Sequence, residues 1–184
     1  MIVALLPLIL GQSTLAAVPI HETARNADGH AVRIPAEGAT ATVLIFVNVD
    51  CPIANRMAPE ISRIFAAYGP KGIQGYVVYA DPTAKPREVR THAKSFGFEG
   101  AALLDPQHRL ARAAGASVTP QAAVFDANGR ERYLGRINDL YLEHGKIQPK
   151  ATQNELRDAL DDLLAHRTVR RPITPAIGCF IGAN

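Results

Sequence analysis

The sequence of 184 residues has no tryptophan and only two cysteines, Cys51 and Cys179, which stand 179 − 51 = 128 positions apart. No CxxC pair or zinc knuckle is therefore available from local spacing. The phosphate-cradling patterns G-x-x-x-x-G-K-[ST] and G-x-G-x-x-G are missing, as is the nucleophile elbow G-x-S-x-G, and with them the chemistries those spacings serve. None of the six histidines (His21, His30, His92, His108, His144, His166) falls four residues from another, so local spacing supports no metal site. Neither a metal nor a cofactor is called for. An excess of charge of one sign is lacking too: Lys and Arg number 20 against 17 Asp and Glu. The net charge is +3, and the nearest approach to a basic cluster, Arg167, Arg170 and Arg171, has no aromatic residue among it. It reads as a solvated tail, and nucleic acid is not expected as a partner.

Long apolar runs are also lacking. Residues 1–10 are apolar apart from the break at Pro7, far short of the about 20 residues that span a bilayer. No membrane span is expected. The run has the character of a secretory leader, with Thr14-Leu15-Ala16 as a small-x-small cleavage candidate, although the first basic residue is Arg25. Two readings stay open: an exported protein, periplasmic or extracellular, with residues 1–17 as leader, or a cytoplasmic protein with an irregular first segment. An even number of cysteines suits the oxidising surroundings of the first.

What remains is a soluble composition, 47% hydrophobic and 20% charged, long enough for one domain with a real core. The most informative stretch is TVLIFVNVDCPIANRMAPEISRIFAAY, residues 42–68. Residues 42–49 are almost continuously apolar, as in a central strand covered on both faces. Cys51 follows, then Pro52, which suits the first turn of a helix. Ile53, Met57, Ile61, Ile64 and Phe65 recur at helical spacing, with Pro59 inside the helix. A thiol where a strand meets a helix N-terminus sits in partial positive charge that favours its thiolate.

The rest of the chain alternates. Residues 19–38 are turn-rich, with Asp28-Gly29 as a hairpin signal. A strand is expected over 73–80, a helix over 86–96, a short strand over 101–104 and a helix over 106–114 capped by Asp105. Strands over 121–125 and 130–137 flank the turn Asp126-Ala-Asn-Gly129. Residues 138–151 show no pattern, Thr152-x-x-Glu155 reads as a capping box, and Leu156, Leu160, Leu163 and Leu164 stripe a last helix. Parallel units followed by a hairpin give an α/β fold, a mixed sheet with helices on both faces.

That order resembles the thioredoxin superfamily. Phe46 and Pro59 lie five before and eight after Cys51, and Val118-Thr119-Pro120 is similar to the superfamily's cis-proline loop. The segment between Gly69 and Gly100 resembles the insertion of redoxins, the alkyl hydroperoxide reductase/thiol-specific antioxidant type. A narrower likeness is to exported bacterial redoxin-domain proteins, carried by Cys51-Pro-Ile-Ala-Asn-Arg-Met-Ala-Pro-Glu60, Arg136-Ile-Asn-Asp139 and Gly178-Cys-Phe-Ile181. The resemblance implies a redoxin domain over 18–167 and a tail over 168–184 that carries Cys179.

Departures from the pattern matter as much. Ala54 stands where the second cysteine of CxxC would be, so exchange within the motif is impossible. Asp50 replaces the aromatic residue before the cysteine, and its charge is expected to raise the thiol pKa. The P-x-x-x-T-x-x-C pattern of peroxiredoxins is not met, because Leu44 and Asn48 occupy the proline and threonine positions. Copper chaperones of the same superfamily carry CxxxC and a histidine near the proline loop; here Asn55 and the histidine-free stretch 116–120 speak against that metal.

The candidate site follows. Cys51 is the nucleophile of a thiol-dependent oxidoreductase or, on the plainer reading, a small buried apolar residue. Asn48 and Asn55 flank it, as donors to a thiolate or bound peroxide or as ordinary turn residues. Arg56 either lowers the thiol pKa by folding back or is simply solvated. Thr119 and Pro120 are expected to hold a substrate backbone through a cis bond. Cys179 either resolves an oxidised Cys51 or forms with it a permanent bridge, worth about 5 kcal/mol in a chain-entropy treatment. The tail reaches at most about 45 Å from the last helix, so the meeting is possible only if it is extended. The expected partners are a peroxide or protein disulfide and a thiol electron donor; the alternative is a non-catalytic binding or chaperone module with a structural Cys51–Cys179 bond.

Overall fold

A strand needs both of its faces covered before seven consecutive residues can all be buried, and β3 (Ala41–Val47) meets that condition: every residue in it is buried. In the computed structural model, which describes residues 19–98 and 102–182, β3 lies inside a seven-stranded sheet of order β2-β1-β5-β4-β3-β7-β8. The strands are β1 (Glu22–Asn26), β2 (Ala31–Ile34), β4 (Ile73–Tyr79), β5 (Ala102–Leu104), β7 (Gln121–Asp126) and β8 (Glu131–Gly135). β3, β4 and β5 run parallel; β1, β7 and β8 pair antiparallel to their neighbours. The mixed sheet is as expected. The first hairpin, β1–β2, goes beyond the expectation by joining the sheet edge at β5.

The period of two along β3 divides the core. Val43, Ile45 and Val47 face α1 (Pro52–Tyr68), α2 (Pro86–Phe96) and α4 (Glu155–Leu164), with Met57, Ile61, Val89 and Leu160 in the same cluster. Leu44 and Phe46 face the other way, onto α3 (Arg109–Ala113) through Leu110 and Ala111. Helices thus cover both faces. Each fully buried Val, Leu, Ile or Phe contributes roughly 2 kcal/mol of transfer free energy, so β3 anchors whatever is attached to its end.

Two local readings are corrected. Residues 152–155 form no capping box: α4 has Asn154 at its N-cap, Thr152 bonds instead to Asp139, and Glu155 to Arg136. Tertiary partners outcompete the local pair. The helix expected over 106–114 starts only at Arg109, after His108 in the left-handed region (φ 53°). Asp105 still caps it, accepting from Leu110 N–H (3.2 Å) and Ala111 N–H (2.9 Å). The patternless stretch after β8 contains a small hairpin, β9 (Tyr141–Glu143) with β10 (Lys146–Ile147). The proposed leader and Ala101, the first residue of the expected third strand, lie outside the described residues.

Candidate active site

Cys51 is the N-cap of α1, with extended backbone (φ −80°, ψ 107°) and its N–H bonded to Asn48 O at 3.2 Å. Pro52 takes the first helical position, where no N–H is needed. The sulfur points back over the first turn and accepts from Ala54 N–H at 3.5 Å. Only 1% of the residue is exposed. Facing it is β6 (Val118–Thr119), which ends in a cis Thr119–Pro120 bond, as the sequence predicts. As a thiol, Cys51 donates to Thr119 O at 3.0 Å.

The chain after α4 returns to this spot by a fixed route. Asp162 holds Arg167 and Arg170, and Glu155 holds Arg136 with Arg171 at the margin. Pro172 O accepts from Leu134 N–H, and Thr174 N–H donates to Leu134 O at 3.0 Å, so the tail runs along the free edge of β8. Gly135 permits this approach, since a Cβ there would sit 2.0 Å from Thr174 Oγ1. The tail then forms β11 (Cys179–Phe180), antiparallel to β6 in the register Cys179↔Thr119 and Phe180↔Val118. The two sulfurs face each other at 2.8 Å as free thiols.

The two thiols differ electrostatically. Burial pushes Cys51 up, but donors outweigh it: the Cys179 thiol, the Thr119 side chain and the N–H groups of Ala54 and Cys179 hold it below the ordinary 9.0. Burial pushes Cys179 up to about 11, reinforced by its hydrogen bond to Cys51 and that group's charge. The expected effect of Asp50 does not prevail: Asp50 is exposed, the Cys51 thiol is held below rather than above its ordinary value, and the Asp50 charge raises His92.

The other predicted site residues separate. Thr119 and Pro120 join the cysteine pair. Asn55 turns away, its amide donating to Val49 O at 3.0 Å and its carbonyl oxygen meeting His92 Nε2 at 2.8 Å. Asn48 Oδ1 is buried without a partner among the described residues. Arg56 is exposed on α1 and makes no ion pair among the described residues. Sequence reasoning missed His92 and Tyr79, which complete a relay through Tyr79 O–H and His92 Nδ1 at 2.9 Å. The available signal was His92's place on the apolar stripe of α2 beside Val89, Ala93 and Phe96. A groove of about 610 Å³ lined by Val49, Lys85, Arg87, Glu88, Thr91 and His92 opens beside the turn, and Cys51 is not in its lining. Among the described residues no three His, Cys, Asp or Glu side chains gather as a metal site, and no helix is long and apolar enough to cross a membrane.

A cysteine at the end of a central strand, the N-terminus of the next helix and a cis-proline loop opposite define a thioredoxin-superfamily domain of the redoxin type. The chain belongs to the AhpC/TSA family, whose sequence profile matches residues 17–134. Among solved structures it is similar to an uncharacterized conserved protein from Geobacillus kaustophilus, at 26% identity over 90% of each chain with a TM-score of 0.77. A hypothetical protein from Sinorhizobium meliloti is 24% identical, over 91% of this chain and 93% of that one, with a TM-score of 0.78. A secreted Mycobacterium tuberculosis disulfide oxidoreductase, described as homologous to E. coli DsbE, shares the fold at 16% identity (TM-score 0.54), over 79% of this chain and 95% of that one. No curated protein matches the chain.

Proposed function

We propose that the protein is a thiol–disulfide oxidoreductase in which Cys51 is the nucleophile and Cys179 the resolving thiol. One observation carries this: a second thiol, from 128 residues away, lies 2.8 Å from the cysteine at the helix N-terminus. The unequal acidities fit the two roles, because the more acidic thiol is the better first nucleophile near neutral pH. The Cys51 thiolate attacks a substrate disulfide, forming a mixed disulfide and releasing one substrate thiolate. Cys179, its proton lost, attacks the Cys51 sulfur, forms Cys51–Cys179 and releases the second substrate thiol. Two electrons pass from the pair to the substrate, and an external dithiol returns them. Thr119 and Pro120 hold the substrate backbone; Asn48 shapes the turn. The working unit is the domain over 18–167 with the tail over 168–184, exported after removal of 1–17.

Membership of the AhpC/TSA family favours a second oxidant, a peroxide. The Cys51 thiolate would then take one oxygen to become sulfenic acid, releasing an alcohol or water, and Cys179 would condense with it, releasing water. Thiol counting with intact mass, before and after one equivalent of glutathione disulfide or of hydrogen peroxide, tests both. Two free thiols that become one Cys51–Cys179 bridge with glutathione disulfide support exchange; a response to peroxide alone supports the second oxidant. A bridge that is present from purification and resists dithiothreitol, or thiols that ignore both reagents, overturns the oxidoreductase reading and leaves the binding module.

A further inference from the structure

The tail does more than deliver a sulfur. Cys179 pairs in antiparallel register with Thr119, Ile181 N–H donates to Ser117 O at 2.9 Å, and Thr119 O–H donates to Cys179 O at 3.4 Å. Gly178 lies flat on Thr119, where a Cβ would sit 2.1 Å from the carbonyl oxygen and 2.6 Å from its carbon. Phe180, by contrast, is 79% exposed. The contact therefore reads main chain, sulfur, the smallness of one residue and the half-buried side chain of Ile181, which packs against the core on the α3 side of the sheet.

The anchorage is uneven along the tail. As far as Thr174 it is held by ion pairs and by the cluster of Thr174, Tyr133 and Arg136. Among the described residues, the hydrogen bonds of 175–182 go only to 117–119 and Cys51. Cys51 is 1% exposed beneath this strand, and the groove beside the turn does not reach it. A substrate sulfur meets Cys51 only when residues 178–181 lift away. Lifting them uncovers a strand edge, with Ser117 O unpaired and Thr119 O left with only its bond from the Cys51 thiol, and such an edge accepts another strand.

We propose that residues 178–181 are an intramolecular competitor for the 117–119 edge, holding the register in which the reading above seats the main chain of an extended substrate segment. This rests on the thiol–disulfide reading above and names the substrate as an unfolded or loop segment with a small residue before its cysteine. Exchange then couples to release. Cys51 attacks the docked sulfur, whose disulfide partner leaves as thiolate. Cys179 next attacks the mixed disulfide at Cys51, and the docked cysteine leaves as thiolate and takes up a proton. Re-seating of the tail expels the reduced segment from the edge.

The probe is the peptide Ile-Gly-Cys-Phe-Ile-Gly, a copy of residues 177–182, as its mixed disulfide with thionitrobenzoate. The coloured leaving group times attack by Cys51, and intact mass identifies the adduct. Two comparison peptides carry valine for glycine, or an N-methyl group on the second isoleucine. The full chain is used with Gly178→Val, which prevents seating of the tail, and Ile181→Pro, which removes its donor, as a second variant; circular dichroism checks both folds. Both variants are expected to react about tenfold faster than the natural chain, the worth of one or two hydrogen bonds. They are expected to prefer the glycine peptide over each comparison peptide by a similar factor, and to retain the mixed disulfide that the natural chain resolves. Equal rates for all three peptides, or variants no faster than the natural chain, overturn the docking edge while thiol exchange stands. A chain that no disulfide oxidises, glutathione disulfide included, overturns the exchange reading itself and the docking edge with it.

Discussion

At the scale of single residues, the two cysteines carry opposite perturbations although their sulfurs touch. Cys51 gathers donors at a helix N-terminus; Cys179 has burial and its neighbour's charge against it. The asymmetry depends on the pair. In Cys179→Ala, which removes the donor, the thiolate titration of Cys51, followed by ultraviolet absorbance, is expected to move up by about one pH unit, because a hydrogen bond to a charged sulfur is worth ~1.5 kcal/mol. An unchanged midpoint would mean that the dipole and Ala54 N–H suffice. Cys51 was legible in the sequence because strand, turn and helix signals converge within a few residues. Cys179 was legible only as a possibility, since chain length sets how far a tail reaches and not which edge it chooses. Asn55 illustrates the same limit. Its spacing from Cys51 fits a thiolate donor, but Val49 O within the turn and the distant His92 claim its amide.

At the scale of elements, α2 acts as a brace for the cysteine turn. His92 accepts from Tyr79 of β4 and donates to Asn55 of α1, which in turn holds Val49. His92→Phe keeps the bulk but strands two buried polar groups, and is expected to cost roughly 2–4 kcal/mol in urea unfolding. Burial holds the ring's pKa below 6.5, with Asp50 and the turn at Val49 only partly offsetting it. A base with a depressed folded pKa stabilises fully above its unfolded value and loses that contribution as pH falls through the folded one. The gap between natural and variant stabilities should therefore narrow on acidification below about 6.5. A gap constant with pH would show that His92 acts by packing alone. The elements were the most legible level, since apolar periodicity names β3, α1 and the β7–β8 hairpin directly. The exceptions are ends: Thr152 and Glu155 match a capping pattern yet serve Asp139 and Arg136, because long-range carboxylate and guanidinium partners are stronger than a local hydroxyl.

At the scale of the whole molecule, the tail is tied to the sheet by charges and main-chain hydrogen bonds as well as by the buried Val169. The Arg170 hydrogen bond, against the cost of burial, holds the Asp162 carboxyl below its usual range. Burial pushes Asp139 up, yet the Gln153 and Thr152 donors hold it well below that range. Carboxylates depressed in the folded state stabilise above their unfolded pKa and lose that effect as pH falls. Asp162→Asn is expected to speed hydrogen exchange over 167–181 at neutral pH and to leave β3 and β7 protected. In the natural chain the same loosening should appear only below about pH 4. Equal protection in both proteins would assign the hold to Thr174 and the β8 edge instead. The distance along the chain between the two sulfurs has a consequence in time. Cys179 leaves the ribosome 128 residues after Cys51, about 6–25 s later at 5–20 residues per second. A growing chain thus carries Cys51 without the second thiol that meets it in the folded protein, and for that interval any thiol or disulfide it encounters is a partner from outside the chain.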